Sequence, residues 1–478
     1  MDARSETRHA VLAVDLDGTL IATDLFWESL FQLLRSNPLA LFMLPLWLAG
    51  GKARLKSEIA ARIELDATAL PYRPEVVERL TAEKEAGRRL ILATGSHERF
   101  AEAIADHLGL FDAILATDAT CNLTATRKRD ALTREFGDGG FDYVGNSRAD
   151  IAVFDAAGSA IVVAPDGAAA RWQRRHDAEL IETSKPSVRT IIKMLRVHQW
   201  LKNTLIAVPM VLSHEYFDTG MVLACAIAFV SLSAAASAIY IVNDFFDMPL
   251  DRKHATKKNR PFAAGTLSIP FGLASAGSLL ALSAASALLL DPLFGLVLVL
   301  YLVTTTAYSL SLKRMLLIDV FTLAGLYTIR ILAGAAATGT DVSFWLLAFS
   351  IFFFLSLALV KRHVELADTD VEEGTRIAGR GYRPEDLSVI AQGGVSAAFA
   401  AAMVLALYID SASVRELYAN PWMIWPLAPI VLYLTLRIWV LAGRRELHDD
   451  PVVFLVRDWR SQLVIAIGGL LLVVAAMQ

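Results

Sequence analysis

The chain has 478 residues, 55% of them apolar and 20% charged, with a formal net charge of −4 and a mean hydropathy of +0.47. Residues 1–190 hold 51 Asp, Glu, Lys and Arg and residues 191–478 hold 43, about 27% and about 15% against a usual level near 25%. That excludes an ordinary soluble protein, a disordered chain and a secreted disulfide scaffold, and joins a water-soluble part to a membrane part. The acidic balance argues against a nucleic-acid partner, which would need a concentrated basic surface. Only Cys121 and Cys225 occur, so no disulfide framework is expected. The polar Met1–Ala10 stretch has no apolar core of the kind a cleavable signal peptide needs.

Residues 10–15 read as a short buried strand, and similar runs recur at 90–93, 113–116, 142–144 and 160–164. Helical patterns such as 73–86 and 100–108 lie between them, so the first part predicts a parallel sheet covered by helices. The interval 24–70 breaks the alternation and reads as an inserted helical cap. Within it, 39–48 is strongly apolar but too short to span a bilayer, with Pro38 and Pro45 interrupting it. It is either cap core or an interfacial segment resting on the membrane. Ser184, Pro186 and Ser187 mark a linker, dividing the chain into 1–182, a linker at 183–195 and 196–478.

From Leu201 onward, apolar stretches near 201–217, 221–243, 268–290, 293–311, 316–337, 343–360, 388–409, 422–441 and 461–477 approach the ~20 residues needed to cross the hydrocarbon core. The expected architecture is therefore α/β followed by an all-α polytopic membrane domain of about nine helices. With the soluble part inside, sixteen Lys and Arg fall in the inner loops and only Arg415 in the outer ones. This predicts the N-terminus inside and the C-terminus outside.

Asp15-Leu16-Asp17-Gly18-Thr19 directly follows the first strand. Two carboxylates two residues apart at a strand end can share a magnesium ion while one attacks phosphorus and the other handles protons. Strand ends are also where open parallel sheets place ligands. Thr94 at the end of a later strand, Lys128 before a helical segment, and Asn146 with Asp150 follow in order. The last pair is four residues apart and suits the same hard cation. The set resembles the haloacid-dehalogenase superfamily of phosphatases over residues 8–182. The resemblance makes Asp15 the nucleophile and Asp17 the general acid/base. It sets Thr94 and Lys128 on the phosphoryl group and Asn146 and Asp150 at the metal, with the cap selecting substrate. The chain departs from the family in having Asn at 146 where Asp is usual; a neutral oxygen binds a metal more weakly, and a non-catalytic, regulatory soluble domain stays open as an alternative.

In the membrane part, Asn243, Asp247 and Asp251 stand at i, i+4 and i+8 on one helical face, with Asp244 beside them. Acids at a membrane helix end are functional candidates, and this set would bind magnesium that grips a diphosphate. Lys257, Arg260, Pro261 and Gly265 follow. The string resembles the first acidic motif of the UbiA superfamily of membrane prenyltransferases, over residues 190–478. Tyr308 to Arg314, containing Lys313, also looks like a signature of that family. The second acidic motif departs from the common pattern: Lys361-Arg362 opens the corresponding loop, with acids only at Glu365, Asp368 and Asp370.

Arg196, Gln199, Lys202 and Asn203 share a helical sector. Arg330 lies 11 residues beyond Asp319, about 16 Å along a helix and too deep to snorkel easily. Arg437 is near enough to a helix end to snorkel and is set aside. These segments, with the Asp458 region after Asp450-Pro451, are most similar to the decaprenyl-phosphate phosphoribosyltransferase branch of the superfamily. That branch implies phosphoribosyl pyrophosphate as donor and a polyprenyl phosphate as acceptor. Asp319, Lys313 and Arg330 would then orient the two phosphates, with magnesium in both domains. A fused phosphatase would remove the 5-phosphate of the product. The alternative keeps the fold and moves a prenyl group from its diphosphate to an aromatic ring.

Overall fold

The computed structural model describes residues 10–183, 186–215, 217–367, 381–411, 414, 418, 420–447 and 450–476. Residues 1–9, Ser184, Asp368, Asp370, Arg376, Arg380 and Arg415, all used in the sequence argument, lie outside the described residues. Two compact units emerge: 1–195 together with 241–275, and 196–240 together with 276–478.

The first unit is built on six parallel strands: β1 Val11–Val14, β2 Arg89–His97, β3 Ala113–Thr117, β4 Asp142–Gly145, β5 Ser159–Val163 and β6 Glu179–Ile181, in the order β3-β2-β1-β4-β5-β6. β1 is central and every residue in it is buried, which explains a Val-Leu-Ala-Val run without alternation. Five strands fall where the apolar runs predicted them. The sixth escaped because it has three residues, opens with Glu179 and is mostly exposed. At the base of the sheet Arg88 forms ion pairs with Glu83, at 3.4 Å, and with Asp142, all nearly buried. Arg88→Met takes the guanidinium from buried Asp142, while Glu83 keeps Arg79 at 2.8 Å, and should destabilise the unit by about 3–5 kcal/mol. Thermal unfolding of the full-length protein should show its first transition fall by on the order of 10 °C.

The interval 24–70 is mostly helical. Helix α1, Leu25–Ser36, is capped by Asp24, whose side chain accepts from the Phe26 and Trp27 amides. Pro38 and Pro45 keep the apolar 39–48 stretch from forming one helix. It becomes a 3₁₀ segment, Pro38–Phe42, and a short helix, Leu44–Ala49. In the first unit, helix α2 spans Thr126–Phe136.

Among the described residues, seven helices are long and apolar enough to cross a membrane: α3 Thr219–Lys253, α4 Ile269–Ala287, Pro292–Leu310, α5 Ile318–Thr338, α6 Phe344–Ala367, Pro384–Ile409 and Trp422–Gly443. Pro451–Arg457 and Trp459–Ala475, bent by 81°, make an eighth if counted as one broken span. The predicted 201–217 span is not a long helix: Val197–Ala207 is 3₁₀ and Val208–Leu212 is a five-residue α-helix. Its backbone packs tightly on α5 instead. A side chain at Gly334 would put Cβ 1.9 Å from the Ile206 carbonyl oxygen, so only glycine fits there. The chain is an integral membrane protein.

Candidate active sites

Asp15 directly follows β1, and its amide donates to Val144 O of β4 at 2.9 Å. This locks the first loop to the neighbouring strand end. Gly18 sits at φ +78, which favours glycine, and a Cβ there would also push aside the Asn146 side chain, whose Nδ2 lies 2.2 Å from that position. Asp15 accepts from Thr19 Oγ1 at 3.0 Å and from Lys128 Nζ at 2.6 Å. Lys128, on α2, is 4% exposed and also donates to Tyr143 Oη at 2.8 Å and Asp150 Oδ1 at 3.2 Å. Asp17 accepts from the Leu25 amide at 2.8 Å and from Ser96 Oγ at 2.6 Å.

Burial pushes the Asp15 carboxyl up to about 7 against the pull of Lys128. Lys128, despite its own burial, is held above the usual ammonium range by Asp15 and Asp150. The short contact and the Lys128 direction together favour an ion pair at neutral pH. Burial and then the neighbouring Asp24 push Asp17 up to about 6. A carboxyl in that range can give and take a proton near neutrality.

Both Asp150 oxygens are engaged: Oδ1 by Tyr143 at 2.7 Å and Lys128, Oδ2 by the Asn146 and Ser147 amides and Ser147 Oγ at 2.8 Å. In this geometry Asp150 holds the 145–148 loop and Lys128 in place. Asn146 Oδ1, in contrast, is buried with no hydrogen-bond partner. Thr94 is fully buried and its hydroxyl accepts from the Ser96 amide at 3.0 Å; Gly95 and Ser96, not Thr94, line the cavity over the carboxylates. Asp15, Asp17, Lys128, Asn146 and Asp150 all line that cavity.

Sequence reasoning missed Ser96, Tyr143 and Lys56. Lys56 donates to Gly95 O at 2.6 Å and Asn122 Oδ1 at 2.9 Å. Nothing in the sequence sets it apart from the four other cations of the cap, Arg35, Lys52, Arg54 and Arg62.

From the loop after α3, Arg260 Nη1 reaches back to Asp251 Oδ2 at 2.6 Å and Asp244 Oδ1 at 3.3 Å on that helix. Asp247 instead faces the cap: Arg35 of α1 lies 3.1 Å from its Oδ1 and donates to Phe246 O at 2.5 Å. Glu28 of α1 pairs with Arg252, and Phe31 meets the rings of Phe245 and Phe246 at 4.9 and 5.5 Å. Asn243 is half-buried on the same helix, and Lys257 stands exposed in the turn beyond it. Among the described residues no three His, Cys, Asp or Glu side chains converge as a ready metal cage. The hydrolase-like donor set nevertheless fits a hard cation through Asp15, Asp17 and the orphaned Asn146 Oδ1. The α3 set fits by the oxygen chemistry of Asn243, Asp247 and Asp251.

The second unit gathers the cations predicted for phosphate. Lys202 Nζ donates to Asp450 Oδ2 at 2.6 Å, Lys361 reaches the same oxygen at 3.4 Å, and Tyr327 Oη donates to Oδ1 at 3.2 Å. Arg330 Nε donates to Asn203 Oδ1 at 2.9 Å and its guanidinium lies 5.3 Å from the Tyr301 ring centre and 5.6 Å from that of Tyr327. Arg196 lies over Tyr240 at 5.0 Å, and the Gln199 amide closes on Arg196 O at 2.7 Å.

Asp319 and Arg362 are elsewhere on their helices, fully buried as a pair at 2.7 Å with Tyr382 Oη donating to Asp319 at 2.5 Å. Tyr308 is at the end of Pro292–Leu310 and Lys313 in the turn Leu312–Arg314; both are half-buried. Asp450 was used only as a sequence landmark, yet it is the hub of the cation cluster. Arg437, set aside as snorkelling, pairs with Asp458 at 2.7 Å.

The haloacid dehalogenase-like hydrolase profile matches residues 12–155 and the UbiA prenyltransferase family profile matches residues 203–476. The chain is 38% identical over 464 residues to the uncharacterized protein y4nM of Sinorhizobium fredii, covering 96% of this chain and 89% of that protein. It is 35% identical over 197 residues to a decaprenyl-phosphate phosphoribosyltransferase of Mycobacterium tuberculosis, 40% of this chain and 65% of that protein. A UbiA homolog from Archaeoglobus fulgidus, solved with GPP and Mg2+, is 14% identical, with a TM-score of 0.47 over 60% of this chain and 100% of that one. The chain belongs to the UbiA prenyltransferase family and carries a haloacid dehalogenase-like hydrolase domain at its N-terminal side.

Proposed function

We propose that the chain is a two-step membrane enzyme acting at the cytoplasmic face of the inner membrane. The membrane unit transfers 5-phosphoribose from phosphoribosyl pyrophosphate to a polyprenyl phosphate. The hydrolase domain then removes the 5-phosphate and leaves polyprenyl-phospho-ribose. The observation that carries this reading is the cluster of Lys202, Lys361 and Arg330 around Asp450 and Asn203. Lys202 and Arg330 are buried and Lys361 is half-buried, and the one carboxylate among them, Asp450, leaves a surplus of positive charge in an apolar unit that an anionic substrate would offset. The name of the Mycobacterium tuberculosis relative supports the same chemistry.

In the transfer, the bond from the anomeric carbon to the diphosphate oxygen breaks as a lipid phosphate oxygen bonds to that carbon. The acceptor is already ionised, so no general base is needed. Lys202, Lys361 and Arg330 hold phosphate charge, with Arg196, Gln199, Tyr308 and Lys313 as further contacts. Asp319 and Arg362 fix the helices that present them. Magnesium held by Asn243, Asp244, Asp247 and Asp251 would stabilise charge on the departing diphosphate. Lys257 and Arg260 would meet the same diphosphate.

In the hydrolase domain the Asp15 carboxylate attacks phosphorus while the ribose 5-oxygen leaves with a proton from Asp17. Water then attacks the aspartyl phosphate, Asp17 takes its proton, and inorganic phosphate departs. Lys128 and the Gly95–Ser96 turn, positioned by Thr94, hold the phosphoryl oxygens. A magnesium ion on Asp15, Asp17 and Asn146, with the loop set by Asp150, would supply charge neutralisation there. Full-length protein given decaprenyl phosphate, phosphoribosyl pyrophosphate and magnesium should yield decaprenyl-phospho-ribose and free phosphate by mass spectrometry. Consumption of a prenyl diphosphate with an aromatic acceptor, and no use of phosphoribosyl pyrophosphate, would replace this reading.

A further inference from the structure

The cavity over Asp15 has a volume of about 1090 Å³, at the upper end for sites that hold drug-sized ligands and large for a phosphosugar alone. Its lining falls into two sets by chemistry. Asp15, Asp17 and Lys128 are joined by three further cations, Lys52, Lys56 and Arg73. The second set is apolar: Phe26 and Leu48 from the cap, and Leu267, Ile269 and Phe271 from the segment 265–271. Leu267 and Ile269 are buried, while Leu48 and Phe271 are 51% and 45% exposed.

Both apolar walls continue into apolar surface. Ile269 begins α4, a helix long and apolar enough to cross a membrane. Leu48 ends a cap segment in which Leu39, Phe42 and Leu46 are 70%, 78% and 64% exposed. An exposed run of that kind marks a contact with lipid or protein. The preceding helix α1 seats Phe31 and Arg35 on residues 245–247 of α3, a membrane-crossing helix, which favours lipid.

We propose that the hydrolase cavity takes a membrane-anchored phosphomonoester, its phosphate at Asp15 and Lys128 and its hydrocarbon chain against Leu48, Leu267, Ile269 and Phe271. The inference rests on the phosphatase reading above and adds the residues that seat the lipid chain inside the hydrolase cavity. A soluble phosphosugar leaves the apolar wall wet, whereas a lipid-linked one covers it and gains the hydrophobic term. Lys52, exposed at the cavity edge, would meet a second phosphate, the diester that joins sugar to lipid.

The test uses full-length protein in phosphatidylglycerol nanodiscs with magnesium. Phosphate release is measured from farnesyl-phosphoryl-ribose 5-phosphate and from ribose 5-phosphate. The lipid should be preferred in kcat/KM by at least about tenfold. Leu48→Glu and Phe271→Glu, both at exposed positions, should each lower that preference about tenfold, through KM for the lipid. Equal use of both substrates by the unmodified protein, or a preference unmoved in both variants, overturns the proposal. If neither substrate is hydrolysed, the phosphatase reading fails. Retention of radiolabelled farnesyl-phosphoryl-ribose 5-phosphate then decides the lipid wall. Binding weakened about tenfold by the two variants upholds it, and unchanged binding removes it.

Discussion

Asp15→Asn should stop the reaction sequence at the phosphorylated lipid. The substitution removes the attacking oxygen that Thr19 and Lys128 position, and loss of a nucleophile lowers turnover by at least about a thousandfold. Mass spectrometry of the lipid products should show phosphoribosyl lipid accumulating and free phosphate absent. Unchanged product composition would mean that the hydrolase domain does not act on this lipid. Lys128→Met is a weaker companion: it leaves Asp15 and Asp150 facing each other across the site without their shared cation, so folding should suffer along with turnover.

Asp247→Asn should have the second large effect, on the transfer. Asp244 and Asp251 are nearly buried and share Arg260, whereas Asp247 retains 29% side-chain exposure and is paired with Arg35. It is the carboxylate of the set most open to a metal–diphosphate complex. Losing one group that stabilises developing charge lowers turnover on the order of a hundredfold, and half-saturating magnesium should rise. Arg35→Ala should shift half-saturating magnesium the other way, because the cation now paired with Asp247 would be gone. A transfer rate untouched by Asp247→Asn would sever the acidic helix end from catalysis.

Much of the architecture could be read before any coordinates. Strand ends carry a local signature, so Asp15-x-Asp17, Lys128 and the Asn146–Asp150 pair could be found one by one and fall in one cavity. The polar partners could not be found that way. Ser96, Tyr143 and Lys56 become relevant only when β2, β4 and the cap meet, and no periodicity encodes a contact across many tens of residues. Asp450 escaped for the same reason: alone it looks like a helix cap before proline, and Lys202, its partner, is 248 positions away. The 201–217 stretch misled because hydropathy counts apolar residues without asking where the backbone goes. There Asn203 and Lys202 turn toward polar partners and Ile206 presses on Gly334, and a 3₁₀ segment meets those demands where a straight helix does not.

The grip of α1 on the end of α3 has a mechanical consequence. Glu28 is 1% exposed and paired with Arg252, and Phe31 is wedged against two phenylalanines. Separating them would strand a buried charge. On its other side the cap shares one apolar core with the sheet, Leu25, Leu33, Trp47, Leu55 and Ile59 packing with Leu12, Val14, Leu90 and Leu92, so the cap is the rivet that fastens the strands bearing Asp15 to the end of the membrane helix.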